Sequence, residues 1–433
     1  MRGDGMSGPL TGVRVLDFTQ VIAGPMGAQH LADMGADVVK VEPLAGEPWR
    51  LTAQFMPGES KAYHVLNRGK RSLALDLQHP AARETVRRLV KTMDVVVINY
   101  RPDVAARLGI DYETLSAVKP DLIYVDSTAF GRNGPWANKP GYDIVAQAVS
   151  GVLSAAARFD EHGTPVLMMG GLPVLDLATG YAIGMATVAA LYHRALTGEG
   201  QLVETSLLQT GLILQHGRFS SLPAADVTGR TRYLEDLQRS RENGEGYQAF
   251  VQRQRAQYEA GQVANIYYRV YYTSDGAIAV GNLSPGLRKK FREAMGIEYD
   301  PRDDDPNYDA ASPEALEFGL RLRDEVEAKF REHPSAYWSD YLDAQGIPNG
   351  ELTFTEELLE HEQVRANNYF VELEHELLGG GEFQPAPPFQ MQKTPLRPTK
   401  SSPPLGAHAD EVLAEVGFTV EEVETLRQDG AIL

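Results

Sequence analysis

The sequence predicts an α/β protein: a large Rossmann-like parallel-sheet domain followed by a smaller α+β domain. Three observations carry this expectation. Residues Val13–Glu42, VRVLDFTQVIAGPMGAQHLADMGADVVKVE, read as strand, tight loop, helix and strand. Asp94–Asn99 (DVVVIN) and Leu122–Ser127 (LIYVDS) are continuous apolar runs, as in strands covered on both sheet faces, and helical stretches alternate with the strands. Near Phe219 the alternation stops, and Ile266–Asn282 reads as a hairpin around Ser274-Asp275-Gly276. The expected division is 1–220 for the large domain, 225–365 for the small one, and 366–433 for an extended linker and C-terminal helices that return to the large domain.

Each element has its own signal. Val13–Phe18 is apolar and β-branched, bounded by Gly12 and Thr19. Pro25 fits the first position of the following helix, where its missing N–H costs nothing. Ala28, Leu31, Ala32 and Gly35 form a narrow stripe of small and apolar residues that suits packing on a sheet. Asp37–Glu42 is the next strand, Ser72–Leu77 alternates with period two, and Pro80–Met93 is a charged amphipathic helix. Asp143–Ala157 reads as one buried helix. Leu177–Ala195 is a long helix rich in Ala and Gly, stopped by Thr197-Gly198-Glu199-Gly200, and Gln201–Ser206 is a further strand. Residues 225–262 read as an exposed helical or mobile excursion. Helices follow near Leu287–Met295 and Pro313–His333, with a turn signal at Gly346–Gly350. Leu378–Pro404, with its glycines and prolines, reads as an extended crossing segment, and Asp410–Leu433 as short amphipathic helices.

Composition narrows the function. The 433 residues are enough for two or three domains; 43% are hydrophobic and 23% charged, ordinary for a soluble globular chain. The net charge of −18 argues against a nucleic-acid partner. The absence of cysteine excludes disulfides, zinc thiolates, iron–sulfur clusters and cysteine nucleophiles. No apolar run reads as a signal peptide or a membrane span, so no membrane partner and a cytoplasmic location are expected.

The opening unit resembles a nucleotide-binding βαβ, and Glu42 stands near the spacing of a ribose-binding acid. The glycine fingerprint fails, however. The loop is Ala23-Gly24-Pro25-Met26-Gly27, and Pro25 replaces the glycine that would let backbone approach a pyrophosphate. The strongest chemical candidate is Asp176, in GGLPVLDLATG (Gly170–Gly180), at the start of the small-residue helix. It fits a helix N-cap, or a carboxylate nucleophile held by the helix terminus, and the two roles are compatible.

Five ordered segments then carry a resemblance. They are the opening block with its AGP loop; Asn67-Arg68-Gly69-Lys70-Arg71-Ser72; Asn99-Tyr100-Arg101-Pro102; GRNGPWANKPGYDIVAQ (Gly131–Gln147); and Pro403-Pro404-Leu405-Gly406-Ala407-His408 followed by Asp410-Glu411-Val412-Leu413. Together they resemble the family III CoA-transferases (the CaiB/BaiF type), the group that includes formyl-CoA transferase and carnitine CoA-transferase. The resemblance covers almost the whole chain. It implies an acyl-CoA:carboxylate CoA-transferase in which Asp176 attacks the acyl-CoA carbonyl, giving a mixed anhydride and then an aspartyl-CoA thioester. It also implies CoA and acyl-CoA as substrates, a carboxylic acid acceptor, no tightly bound cofactor, no metal, and an interlocked homodimer.

Carried over residue by residue, Val21, Ile22 and Ala23 would wall the thioester site, and Leu75 and Gln78 would hold adenine and nucleotide. Asn99, Tyr100 and Arg101 would line the CoA groove, Arg107 would contact phosphate, and Tyr142 would sit beside the catalytic carboxylate. Oxalate-handling members have Gln at the position of Ile22, which argues against oxalate. The related α-methylacyl-CoA racemases use a His in a G-H-D segment. This chain has Gly141-Tyr142-Asp143, and a phenol of pKa about 10 is a poor general base. Racemase chemistry is therefore the alternative, with a non-catalytic CoA-binding protein a second. The tetraglycine lid of formyl-CoA transferase has no counterpart at the matching place. Arg50 and His64, by position, are candidates for a second substrate carboxylate.

Overall fold

The computed structural model describes residues 8–167, 171–227, 229–263, 265–309 and 312–433, with the backbone alone at 218–219 and 256–263. Gly170, the first residue of the Asp176 segment, lies outside the described residues. The chain forms two compact units. One runs to Ser221 and resumes from Gln363 to Leu433; the other is Leu222–Glu362.

The first unit is built on β1 (Arg14–Asp17), β2 (Asp37–Glu42), β5 (Arg71–Ala74), β6 (Val95–Ile98), β7 (Ile123–Thr128) and β8 (Leu202–Ser206); a small hairpin, β3 (Gln54–Met56) with β4 (Glu59–Ser60), stands between β2 and β5. The six strands form one parallel sheet in the order β5-β2-β1-β6-β7-β8. The chain thus winds outward from β1 in one direction and then from β6 in the other. That reversal opens a crevice at the carboxyl ends of β1 and β6.

Alternate residues of each strand serve opposite faces, and both faces are buried. Leu16, Val39, Val96, Ile98 and Tyr124 pack with Val86, Leu89, Leu115 and the C-terminal Val412, Leu413, Val423 and Ile432. Val15, Val38, Val95, Val97, Ile123 and Val125 pack with Ala28, Leu31, Ile183 and Ala190. The helices of this second face, Ala23–Asp33 and Val174–Thr197, run side by side in the same direction: Met26 meets Gly180, and His30 meets Gly184. Small residues permit the approach. A Cβ built on Gly27 would lie 2.4 Å from the β-branched Ile183, so the two helices would have to shift. The helix Val174–Thr197 is long and apolar enough to cross a membrane by length and composition, which the run-length reading missed. Here one face of it packs on the sheet and the opening helix.

The second unit holds an antiparallel sheet, β11-β10-β9, of β9 (Tyr268–Tyr272), β10 (Ala277–Gly281) and β11 (Asn349–Glu351). Its core is aromatic: Tyr271 stacks on Phe330 at 4.5 Å, and Phe291, Trp338 and Leu342 close around them. Ser284 and Ser312 cap the helices Pro285–Met295 and Pro313–Phe330 through Leu287 and Ala315 N–H. The expected excursion is two helices, Arg230–Glu242 and Tyr247–Val263, parted at Asn243–Gly246.

Several expectations need correction. The helix expected over Asp143–Ala157 is two, Asp143–Val149 and Val152–Ala156, because Gly151 turns the backbone left-handed (φ 83°). The opening helix begins at Ala23, two residues before Pro25, and the long helix at Val174, before Asp176. The turn signal at Gly346–Gly350 runs into an edge strand, since Asn349 and Gly350 pair with β10. Within the crossing segment the extended backbone of Gly379–Pro385 (β13) has a partner, pairing antiparallel with Phe370–His375 (β12). Inward Leu373, His375 and Gln384 set the face of that hairpin, a pairing invisible in a run of glycines.

Candidate active site at the carboxyl edge of the parallel sheet

The loop after β1 is held from every side. Asp17 accepts the Thr19 N–H at 2.8 Å and hydroxyl at 2.5 Å, and Lys40 Nζ donates to Thr19 O at 2.8 Å. Asn99 accepts the Gln20 N–H at 2.9 Å and donates to Gln20 O at 2.8 Å, while Tyr100 OH accepts from Gln20 Nε2 at 2.7 Å. Glu47 accepts the Val21 N–H at 3.0 Å. Lys70 Nζ reaches Asp17 at 2.8 Å, Asn67 Oδ1 at 2.8 Å and Pro25 O at 2.9 Å. Asp17, Lys40, Glu47 and Lys70 are all buried, so each charge depends on its partners. The network holds Val21, a β-branched residue, at φ 73°, a left-handed conformation maintained only where the surroundings over-determine it.

Asp176 begins the neighbouring wall. It is the third residue of its helix, and Pro173 occupies the cap position without a side-chain acceptor. The cap comes from elsewhere. Asp143 Oδ2 accepts the N–H of Leu175 at 2.8 Å and of Asp176 at 3.1 Å. Gln147 Nε2 in turn donates to Asp143 Oδ1. Asp176 is therefore not the N-cap of its helix, one of the two roles considered for it. The residue is 8% exposed, and burial followed by the charge of Asp143 pushes its carboxyl up to about 7. Among the described residues no group donates a hydrogen bond to it. Ala23 shares an apolar cluster with Leu175, Ala146, Val152 and Leu207, which brings the loop beside the start of this helix.

The other expected site residues divide. Val21, Ile22, Ala23, Asn99 and Tyr100 gather at the loop, and Tyr142, 66% exposed, adjoins the capping Asp143. Asn99 uses both ends of its amide on Gln20, so its direct role is to brace the loop. Leu75 is 1% exposed in the core and bridges to Ile432, which leaves its side chain no open surface. Gln78 is exposed, three residues beyond it. Both follow β5, two strands from β1 or about 10 Å along the sheet. Arg101 is exposed and pairs with Asp103 at 3.1 Å; Arg107 is exposed in the last turn of the helix that Arg101 precedes.

Three other readings are settled by burial. Glu42, the ribose-acid position, accepts from Arg50 (2.8 and 2.9 Å), Tyr63 (3.0 Å) and Ser72 (3.0 Å) and has no oxygen for a sugar. Arg50 is wholly buried on Glu42, Tyr63 and Pro403 O, so it cannot meet a substrate carboxylate. His64 is buried between Glu59 (2.8 Å) and Glu382 (3.4 Å) and stacked on His375. Burial alone would lower it, but the two glutamates outweigh burial and push it up to about 9.

Glu59, His64 and His375 offer ligand atoms within 4.8 Å of one another, as a metal site would. Their geometry suits a proton better. The rings lie parallel within 9°, so their nitrogen lone pairs do not converge, and His375 Nδ1 accepts from Leu377 and Leu378 N–H, which leaves the proton on Nε2. The sequence reading assigned no role to Asp17, Lys40, Glu47, Lys70 or Asp143, although Lys70 and Asp143 stand in two of the matching segments. Asp17 and Lys40 were detectable as charges placed next to apolar residues within predicted buried strands.

The sequence model of CoA-transferase family III matches residues 10–409. The chain is 34% identical over 430 residues to the succinate–glutarate CoA-transferase of Agrobacterium fabrum, an alignment covering 96% of this chain and 98% of that protein. It is 31% identical to the formyl-CoA:oxalate CoA-transferase of Rhodopseudomonas palustris, covering 99% and 98%. Its fold matches the crystal structure of a CaiB/BaiF family protein from Brucella suis with TM-score 0.71 and 26% identity, covering 95% of this chain and all of that one.

Proposed function

Because the chain belongs to CoA-transferase family III and is an enzyme of that type, we propose that it moves CoA from an acyl-CoA donor to a carboxylic acid with Asp176 as the nucleophile. The observation that carries this reading is a buried carboxylate with no donor among the described residues, at a helix start beside the braced loop. An Asp176 oxygen attacks the thioester carbon, the C–S bond breaks, and CoA leaves as thiolate. The thiolate attacks the aspartyl carbon of the resulting anhydride, releasing the donor acid and leaving an aspartyl-CoA thioester. The acceptor carboxylate attacks that thioester, and the thiolate then takes the acceptor acyl group and restores Asp176. CoA enters and leaves as substrate throughout.

The similarity to a succinate–glutarate enzyme, with Ile22 in place of Gln, supports dicarboxylic acids of four and five carbons over oxalate. Arg101, Arg107 and Gln78 offer exposed polar groups along the sheet edge for a long anionic ligand. The protein acts as a homodimer in the cytoplasm on this reading. Tyr181, Met185, Val188, Tyr192 and Leu196 form an exposed apolar stripe at helical spacing that a second copy would cover.

The test is mass spectrometry after incubation with succinyl-CoA. A covalent adduct is expected on the peptide containing Asp176, and CoA exchange into glutarate should be lost in Asp176→Ala. Full exchange by that variant without any adduct would sink the reading. Uptake of α-deuterium into a 2-methylacyl-CoA, without CoA exchange, would instead support racemase chemistry.

A further inference from the structure

The helix that carries Asp176 has no cap of its own, and its first amide groups must find an acceptor. We propose that Asp143 is the positioning residue of the nucleophile: by capping that helix from a neighbouring one, it frees the Asp176 carboxylate from backbone hydrogen bonds and keeps it bare for attack. This rests on Asp176 being the nucleophile and assigns the adjacent acid a role in that same site.

The geometry is specific. Asp143 Oδ2 alone takes two N–H groups, and Gln147, one turn along the Asp143 helix, holds Oδ1. Asp143 is 7% exposed, so its rotamer is fixed by these contacts. An acid at the third helical position would otherwise turn back onto the free amides, since short acidic side chains favour such bonds. With the amides occupied, the Asp176 oxygens lose their nearest donors. A poorly solvated carboxylate attacks a carbonyl carbon more readily than a well-solvated one.

Asp143 is also the charge that acts on Asp176. Neither Ala23-Gly24-Pro25-Met26 nor Leu207–Leu214 carries a charged side chain. On the other elements packed nearby the titratable groups are Tyr142; His30 and Asp33, the latter paired with Arg68 (2.7 Å); and Tyr124, Asp126 and Glu204, these last two acids pairing with Arg132 (3.4 and 3.8 Å).

Gln147 Oε1 is buried without a partner, which makes Asp143→Asn a clean probe. The new amide oxygen can keep both N–H bonds, and a flipped Gln147 can accept from the new amide nitrogen. The cap survives while the charge is removed. Two measurements on the full-length protein separate the possibilities. The first is an infrared titration of the buried protonated carboxyl band that disappears in Asp176→Asn. The second is the pH profile of kcat/KM for CoA transfer. In Asp143→Asn both midpoints should fall by about one pH unit, with KM for acyl-CoA little changed. In Asp143→Ala, which removes the cap too, kcat should fall about 100-fold or more. Midpoints identical to the parent enzyme in Asp143→Asn, or near-parental kcat in Asp143→Ala with the fold intact by circular dichroism, would overturn the assignment. A shifted infrared midpoint in a protein that never forms an Asp176 adduct would leave this pairing intact and defeat the nucleophile reading instead.

Discussion

At the scale of single residues, Asp176 carries the main consequence for pH. Its carboxyl is raised to about 7 by burial and by Asp143, so the folded state holds a proton that the unfolded chain releases near the ordinary aspartate value. Between those values the folded state binds more protons, and stability falls as pH rises. Asp176→Asn should therefore melt a few degrees higher than the parent at pH 8, and the two should converge below about pH 4. Equal melting temperatures at pH 8 by differential scanning calorimetry would mean that the carboxyl is not strained by its site. Activity has the opposite requirement. Attack needs the ionised form, so kcat/KM should rise through pH 7 on its acid limb, and this ascent should be visible in the parent enzyme. The residue that is best for chemistry is thus unfavourable for folding, as expected where a buried charge serves a reaction.

At the scale of elements, two contacts position the loop against the helix. Lys70 ties β5 to Asp17, Asn67 and Pro25. Lys70→Met removes the cation and leaves Asp17 charged inside the sheet, a loss of about 3–5 kcal/mol in chemical denaturation. The parallel pair of helices is the second contact. Gly27→Ala sets a methyl group 2.4 Å from the β-branched Ile183, whereas Gly180→Ala meets the flexible Met26 at 3.0 Å. The first should cost about 1–3 kcal/mol, the second less than about 1 kcal/mol. The reverse order in urea melts would contradict the packing described. The elements also show where sequence reasoning succeeds. Val95–Ile98 and the start of Ile123–Thr128 are recognisable because both faces are buried and Val95–Ile98 and Ile123–Val125 are apolar throughout. Phe370–His375 and Gly379–Pro385 are not, because their pairing depends on Leu373, His375 and Gln384 meeting groups distant in the chain.

At the scale of the whole molecule, Tyr181, Met185, Val188, Tyr192 and Leu196 form an exposed apolar stripe of the kind that marks an association surface. Light scattering should give a dimer of about 95 kDa from the 47.5 kDa chain, and Met185→Glu with Tyr192→Glu should reduce it to monomer. A monomeric parent protein would contradict the assembly. The sequence alone determined the alternating α/β architecture, the failure of the dinucleotide fingerprint and the aspartate worth testing, because hydrophobic period and local motif are properties of neighbouring residues. The tertiary structure alone decided how each polar group is used. Glu42 and Arg50 neutralise each other in the core, Asn99 braces a loop, and Asp143 caps a helix it does not belong to. Those outcomes depend on which groups meet across the fold, and a buried charge or amide takes whatever partner packing brings to it.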